Sequence, residues 1–200
     1  MMLPLIFLAL FIGLAIIRAI YQRNAPHGEA SQAGRGLDRI RIALSVLLSS
    51  VVIVYGFHHV FGLFPWFAAF ALPFPVWLRW IGVAGAAASL IMLHQVHRDL
   101  GEAFSVRLLV REDHPLITNG WYARIRHPMY SALAGFFLSA SLVAAHALIL
   151  GPAVAIVAIL CARTGTEEHM MEAHFGAEYR RYQARTGRLW PPLTPRTRRD

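Results

Sequence analysis

Residues Met129–Ala162 read MYSALAGFFLSASLVAAHALILGPAVAIVAILCA, 34 positions without one Asp, Glu, Lys or Arg. As a single α-helix this run would be about 51 Å long, against roughly 30 Å of bilayer hydrocarbon. It therefore reads as two shorter helices packed as a hairpin. The break falls between Ala144 and Pro152, where His146, Gly151 and Pro152 lie. Three more apolar runs precede it. Met1–Ile17 ends at Arg18 and lacks the basic start and small-residue cleavage site of a secretory signal, so it reads as a retained first span. Ile42–Phe57 ends at His58 and His59, and Trp77–Leu93 follows a charge-free, aromatic and proline-punctuated loop over 60–75 that suits the membrane interface. The total is five spans.

Composition agrees. At 56% hydrophobic residues and a mean hydropathy of +0.48, the chain carries more apolar surface than a soluble 200-residue domain buries. A chain of this length forms one compact unit, so any chemistry belongs to the helices and the loops between them. The formal charge of +8 comes from 19 arginines and no lysine against 11 acids. The arginines cluster in the loop after the first span, in the segment 94–128 and in the tail from Arg163 onward. The positive-inside rule then puts those three pieces in the cytoplasm and the N-terminus outside. Nucleic-acid binding is not indicated, because the basic residues are not interleaved with exposed aromatics in a soluble module. Cys161 has no partner for a disulfide and reads as a packing residue. The ten histidines form no zinc-type set, so no metal is expected. His58, His59 and His146 read as interfacial, whereas His94 and His97, three apart at the end of the third span, face one way, with the border of the pocket as the lesser of their two readings.

Immediately before the hairpin lies Gly120–Tyr130, GWYARIRHPMY, which packs Arg124, Arg126, His127, Tyr122 and Tyr130 against the apolar run. A membrane protein holds a charged cofactor in such a place. Pro128 suits a first helical turn, where its missing N–H costs nothing, so Arg126 and His127 stand at a helix N-terminus that favours anions. Downstream, Thr166–Arg185 has helical spacing, with Thr166 as N-cap and Phe175, Tyr179 and Tyr182 on one face. The expected fold is an all-α integral membrane protein. It has five transmembrane helices and a cytoplasmic cap formed by the loop before helix 4 and the C-terminal helix. Residues 1–93 hold helices 1–3 and the polar loop 21–39. Residues 94–200 form the catalytic region, with its cytoplasmic loop, the hairpin 129–162 and the cap helix.

Two ordered elements resemble the membrane methyltransferases that include the isoprenylcysteine carboxyl and small phospholipid methyltransferases. The first is Gly-x-Tyr-x-x-x-Arg-His-Pro-x-Tyr, met by Gly120, Tyr122, Arg126, His127, Pro128 and Tyr130 and preceded by His114, Leu116, Ile117 and Thr118. The second is a Glu-Glu pair followed by Phe-Gly-x-Glu-Tyr-x-x-Tyr, met by Glu167, Glu168, Phe175, Gly176, Glu178, Tyr179 and Tyr182, with Leu189, Trp190 and Pro191 after it. The likeness covers roughly residues 94–192. The chain departs from it with Trp121 where many members have Pro and Ala123 where many carry Arg, and Arg124 follows one position on.

The resemblance implies S-adenosylmethionine as methyl donor, with His114, Leu116, Thr118, Gly120, Tyr122, Arg126, His127, Pro128, Tyr130, Glu167 and Glu168 around it. Arg126 suits the cofactor carboxylate, His127 the carboxylate or the ribose, and Glu167 or Glu168 the ammonium or ribose hydroxyls. Tyr122 and Tyr130 would line the adenine or the sulfonium. The implied acceptor is lipophilic and enters from the bilayer. An isoprenylcysteine-like carboxylate is already ionised and needs only an orienting arginine, for which Arg98, Arg163, Arg181 and Arg185 are candidates. An ethanolamine headgroup or other amine would instead need a base, from His97, His127 or Glu168. A non-catalytic scaffold or transporter component is the remaining class, disfavoured by the lack of acids within the spans. A bacterial inner membrane is the expected location.

Overall fold

The computed structural model describes residues 2–23, 35–100 and 116–192. Six α-helices appear among them: α1 Met2–Arg23, α2 Arg35–Phe61, α3 Val76–Leu100, α4 Pro128–Ala144, α5 Ala147–Phe175 and α6 Ala177–Arg185. Short 3-10 turns at Pro65–Phe70 and Gly120–Ala123 complete the architecture. Four helices, α1, α2, α3 and α5, are long and apolar enough to cross a membrane, and α4 is a shorter apolar helix of 17 residues. The chain is an all-helical integral membrane protein.

The hairpin turn is tighter than the sequence suggests. It consists of Ala145, in the left-handed region at φ 51, and His146, whose extended backbone starts α5. Gly151 and Pro152 lie inside α5 instead of in the break. Pro152 forfeits one bond, to the carbonyl of Leu148, and a membrane helix packed by neighbours tolerates that loss. His146 is buried, stacks on Phe67 with ring centroids 3.9 Å apart, and pairs its Nε2 with the Phe67 carbonyl at 3.0 Å. The Leu72 N–H donates to Ala145 at 2.7 Å. These contacts fasten the 62–75 loop to the hairpin, with His146 buried between them at the end of the spans.

Consecutive spanning helices run in opposite directions, so α1 and α3 pack as parallel neighbours. Phe7 of α1 meets Tyr55 of α2 at 4.7 Å between rings, Phe11 meets Phe136 of α4 at 5.3 Å, and Tyr21 stacks on His97 of α3 at 4.5 Å. The α3–α4 contact is made by small residues. A Cβ on Gly82 would lie 2.7 Å from the Ser139 carbonyl, and one on Gly85 would lie 2.5 Å from the Ser139 hydroxyl. Across the same seam, a Cβ on Gly135 would lie 2.6 Å from the Ser89 hydroxyl. Lipid tails are as apolar as the helices, so close backbone approach of this kind, and not hydrophobic burial, holds membrane helices together.

Two further expectations are corrected. Thr166 does not cap a separate tail helix. α5 runs unbroken through it to Phe175, about 44 Å in all, so its last turns extend past a hydrocarbon layer of about 30 Å. The break comes at Gly176, whose φ of 53 and ψ of −120 few side-chain-bearing residues adopt, and α6 folds back from there. Phe175 therefore belongs to α5 and is half-buried, while Tyr179 and Tyr182 are buried on α6. Cys161 is exposed on α5 and not a packing residue.

Candidate active site

The projecting end of α5 carries Glu167 and Glu168 to the N-terminus of α4, and there the two sequence elements meet. Arg126 donates from Nε to Glu168 Oε1 at 2.8 Å and from Nη1 to the carbonyls of Gln183, at 3.1 Å, and Thr186. His127 sets Nε2 3.2 Å from Glu168 Oε1 and Nδ1 3.5 Å from Glu167 Oε2. The Tyr130 hydroxyl donates to Glu167 Oε1, with Arg163 Nε 3.5 Å from the same oxygen. Arg188 Nε reaches Glu168 Oε2 at 3.4 Å. The rings of His127 and Tyr130 lie parallel, 5.8 Å apart.

A neutral imidazole has one N–H donor, yet both nitrogens of His127 face carboxylates, so the ring fits this position as an imidazolium. Burial disfavours that charged form, but hydrogen bonds and opposite charge from Glu167 and Glu168 outweigh it and raise the pKa. Three arginines and this imidazolium face two carboxylates, which leaves the cluster two positive charges in excess.

The chain after α6 closes the cluster from outside the bundle. Ile125 and Gly187 pair in a parallel bridge, with Gly187 N–H to Arg124 O at 3.0 Å, Arg126 N–H to Gly187 O at 2.8 Å and His127 N–H to Arg188 O at 3.0 Å. A Cβ on Gly187 would sit 1.7 Å from the Trp190 carbonyl. The Ser131 hydroxyl donates to Leu189 O at 2.6 Å. On the other flank, Tyr182 donates from its hydroxyl to the Tyr122 carbonyl at 2.7 Å. Burial raises the pKa of Tyr122 and Tyr179 and pushes that of Tyr182 up to about 12, so these phenols remain donors at neutral pH.

The structure thus brings together Tyr122, Arg126, His127, Pro128, Tyr130, Arg163, Glu167 and Glu168. Leu116 and Thr118 are half-buried on the approach to Gly120, and His114 lies outside the described residues. Of the four candidate orienting arginines, Arg163 joins the cluster. Arg181 is exposed on α6, and Arg185 is exposed there with its guanidinium 5.8 Å from the Tyr182 ring centre. Arg98 stands in a separate open groove of about 560 Å³, lined by Gln95, Arg98, Asp99, Gly120, Trp121, Ala123 and Arg124. His94 and His97 do not line that groove. His94 hydrogen-bonds Tyr21, and His97 is buried with its Nδ1 2.7 Å from the Leu93 carbonyl. Arg188 and Gly187 carry no signal in the sequence, since no periodicity marks a short stretch of extended chain, and Ser131 is one small residue within the apolar run. Asp99 carries none either. It accepts the Trp121 N–H at 2.9 Å and packs so closely on Gly120, at φ 55, that a Cβ there would lie 2.1 Å away.

Residues 80–173 match the model of the isoprenylcysteine carboxyl methyltransferase (ICMT) family, a segment that holds Gly120–Tyr130 and the Glu167–Glu168 pair. No curated protein matches at a significant level. The fold is similar to a solved structure of the eukaryotic intramembrane Ras methyltransferase ICMT, with a TM-score of 0.58 and 21% sequence identity. The alignment covers 93% of this chain and 66% of that one, so this chain spans about two thirds of its length. Over residues 80–173, the chain is similar to the isoprenylcysteine carboxyl methyltransferase family.

Proposed function

We propose that this protein is a membrane-embedded methyltransferase that uses S-adenosylmethionine to methylate the carboxylate of an isoprenylcysteine-like, lipophilic acceptor. The observation that carries the reading is the Glu167–Glu168 pair, held by Arg126, His127, Tyr130, Arg163 and Arg188 at the start of α4. This donor set fits a cofactor with a carboxylate, an ammonium and hydroxyls. The carboxylates accept from ammonium and ribose, and the two surplus positive charges at a helix N-terminus favour the cofactor carboxylate. When bound, that cofactor supplies an electrophilic methyl group on a sulfonium, and alignment with the acceptor provides much of the rate.

Carboxyl transfer is favoured over amine transfer because the groups that would take a proton from an amine are engaged. His127 faces both glutamates, Glu168 is ion-paired to Arg126 and Arg188, and His97 is stacked and hydrogen-bonded at the end of α3. An ionised carboxylate needs no base, only orientation, and Arg163, with its Nε 3.5 Å from Glu167 Oε1, is suited to that role. The antiparallel helices also gather Arg18, Arg39, Arg41, Arg98, Arg124, Arg126, Arg163, Arg180, Arg181, Arg185 and Arg188 at the site's end of the bundle, with Arg79 at the other. This distribution supports a site facing the cytoplasm, of a bacterial inner membrane in our reading.

Calorimetric titration of S-adenosylmethionine into detergent-purified protein tests the cofactor. Saturable binding is expected, and it should be lost in Arg126→Ala and in Glu168→Gln. Base-labile methyl ester in the product, as opposed to an N-methyl group, tests the acceptor. A folded protein that binds neither S-adenosylmethionine nor its demethylated product would overturn the assignment.

A further inference from the structure

The groove beside the site carries charge that the cluster does not use. Arg98 and Arg124 are both exposed, and among the described residues neither has a carboxylate within ion-pair distance. The one acid in the groove, Asp99, is committed to the Trp121 backbone N–H. The Trp121 indole N–H donates to Gln95 Oε1 at 2.8 Å, so this ring is fixed from both ends as one wall of the groove. A preformed aromatic wall with two guanidiniums that no described carboxylate pairs binds an anion without first having to be ordered.

The groove also continues into the bilayer along α3. Trp77, Ile81, Ala84, Ala88, Ile91, Gln95 and Arg98 recur at intervals of four and three, and all seven are exposed. They form one stripe about 31 Å long, close to the hydrocarbon thickness. The stripe is apolar up to Ile91 and polar from Gln95, and alanines at 84 and 88 make it shallow in the middle. An apolar track that ends at a doubly basic, aromatic-walled groove has the polarity of a lipid.

We propose that this groove and track bind an anionic phospholipid of the bilayer, with the headgroup phosphate on Arg98 and Arg124 and one acyl chain along Ile81–Ile91. The site is separate from the Glu167–Glu168 cluster, and the inference does not depend on the methyltransferase reading. Titration of didecanoyl phosphatidylglycerol into the protein in maltoside detergent tests it, with didecanoyl phosphatidylcholine and inorganic phosphate alongside. Phosphatidylglycerol should bind about tenfold or more tightly than either. The Arg98→Gln/Arg124→Gln variant should bring phosphatidylglycerol down to the phosphatidylcholine level, while Arg39→Gln/Arg180→Gln, which removes the same charge elsewhere, should leave it unchanged. Ala88→Phe, which fills the track, should weaken the lipid and leave inorganic phosphate unaffected.

Equal loss in the two double variants would reduce the effect to bulk charge and overturn the proposal. Equal affinity for phosphatidylglycerol and inorganic phosphate would overturn it too, by removing the track. S-adenosylmethionine titrated into the same samples serves as the fold control. Failure of wild type to bind S-adenosylmethionine, with the lipid result intact, would sink the proposed function and leave this inference standing. Normal cofactor binding with no lipid preference would do the reverse.

Discussion

His127 is the residue on which the cluster depends most directly, because one ring bridges both glutamates. Its pKa is raised above the ordinary value of 6.5, so its contribution to stability is complete below about pH 6.5 and declines as pH rises through the higher folded value. Thermal unfolding of wild type and His127→Gln across about pH 5.5 to 9 should show the gap between them narrowing toward alkaline pH. A gap that stays constant would mean the ring is neutral. Glu168 faces Arg126, His127 and Arg188 and its side chain is 14% exposed, so Glu168→Gln leaves positive charge uncompensated in a partly buried place. A loss of about 2–3 kcal/mol is expected, measurable by denaturation in mild detergent. Glu167→Gln should cost less, because Tyr130 can still donate to the amide oxygen.

Between elements, the α3–α4 seam makes a sharper comparison. At Gly82 the obstacle to a Cβ is backbone, the Ser139 carbonyl at 2.7 Å and the Val143 nitrogen at 3.0 Å, which move only if the helices separate. At Gly85 the nearest atom is the Ser139 hydroxyl, which can rotate away. Alanine gains up to about 1 kcal/mol of helix propensity over glycine, and overpacking costs about 1–3 kcal/mol. Gly82→Ala should therefore lower the melting temperature while Gly85→Ala leaves it nearly unchanged. Equal effects would show that the seam relaxes freely. The bridge between Ile125 and Gly187 is an element of only one pair, but it holds the backbone of Arg126 and His127. Gly187→Ala should abolish cofactor binding without unfolding the helices, read as lost calorimetric heat with unchanged far-ultraviolet dichroism.

The whole molecule divides into a bundle and a closing tail. The core is built from α1 to α5 without help from the segment after α6, since Phe7, Leu48, Tyr55, Phe136, Val143 and Ile149 pack among themselves. Removal of residues 186–200 should leave a helical, membrane-inserted protein that no longer binds cofactor, because Arg126 and His127 lose the carbonyl acceptors supplied by Thr186, Gly187 and Arg188. Cofactor binding that survives this truncation would show that α5 and α4 hold the site unaided.

Apolar runs bounded by arginines were enough, from the sequence alone, to establish a membrane protein of helices, because a span is a one-dimensional property of length and composition. The pairing of Gly120–Tyr130 with Glu167–Glu168 was also legible, carried by two motifs in fixed order. Four things were decided by tertiary contact. The hairpin turns at Ala145–His146 because His146 stacks on Phe67 and the loop N–H groups need partners there, and the apolar run does not choose between His146 and the Gly151–Pro152 pair as the break. The acidic pair rides on the end of α5, since a helix longer than the bilayer is thick simply continues out of it. Arg163 joins the cluster while Arg181 and Arg185 face solvent, a choice made by the fold-back at Gly176. Arg188 and Asp99 enter through single contacts between distant segments, and a contact of that kind leaves no periodic trace in the chain that makes it.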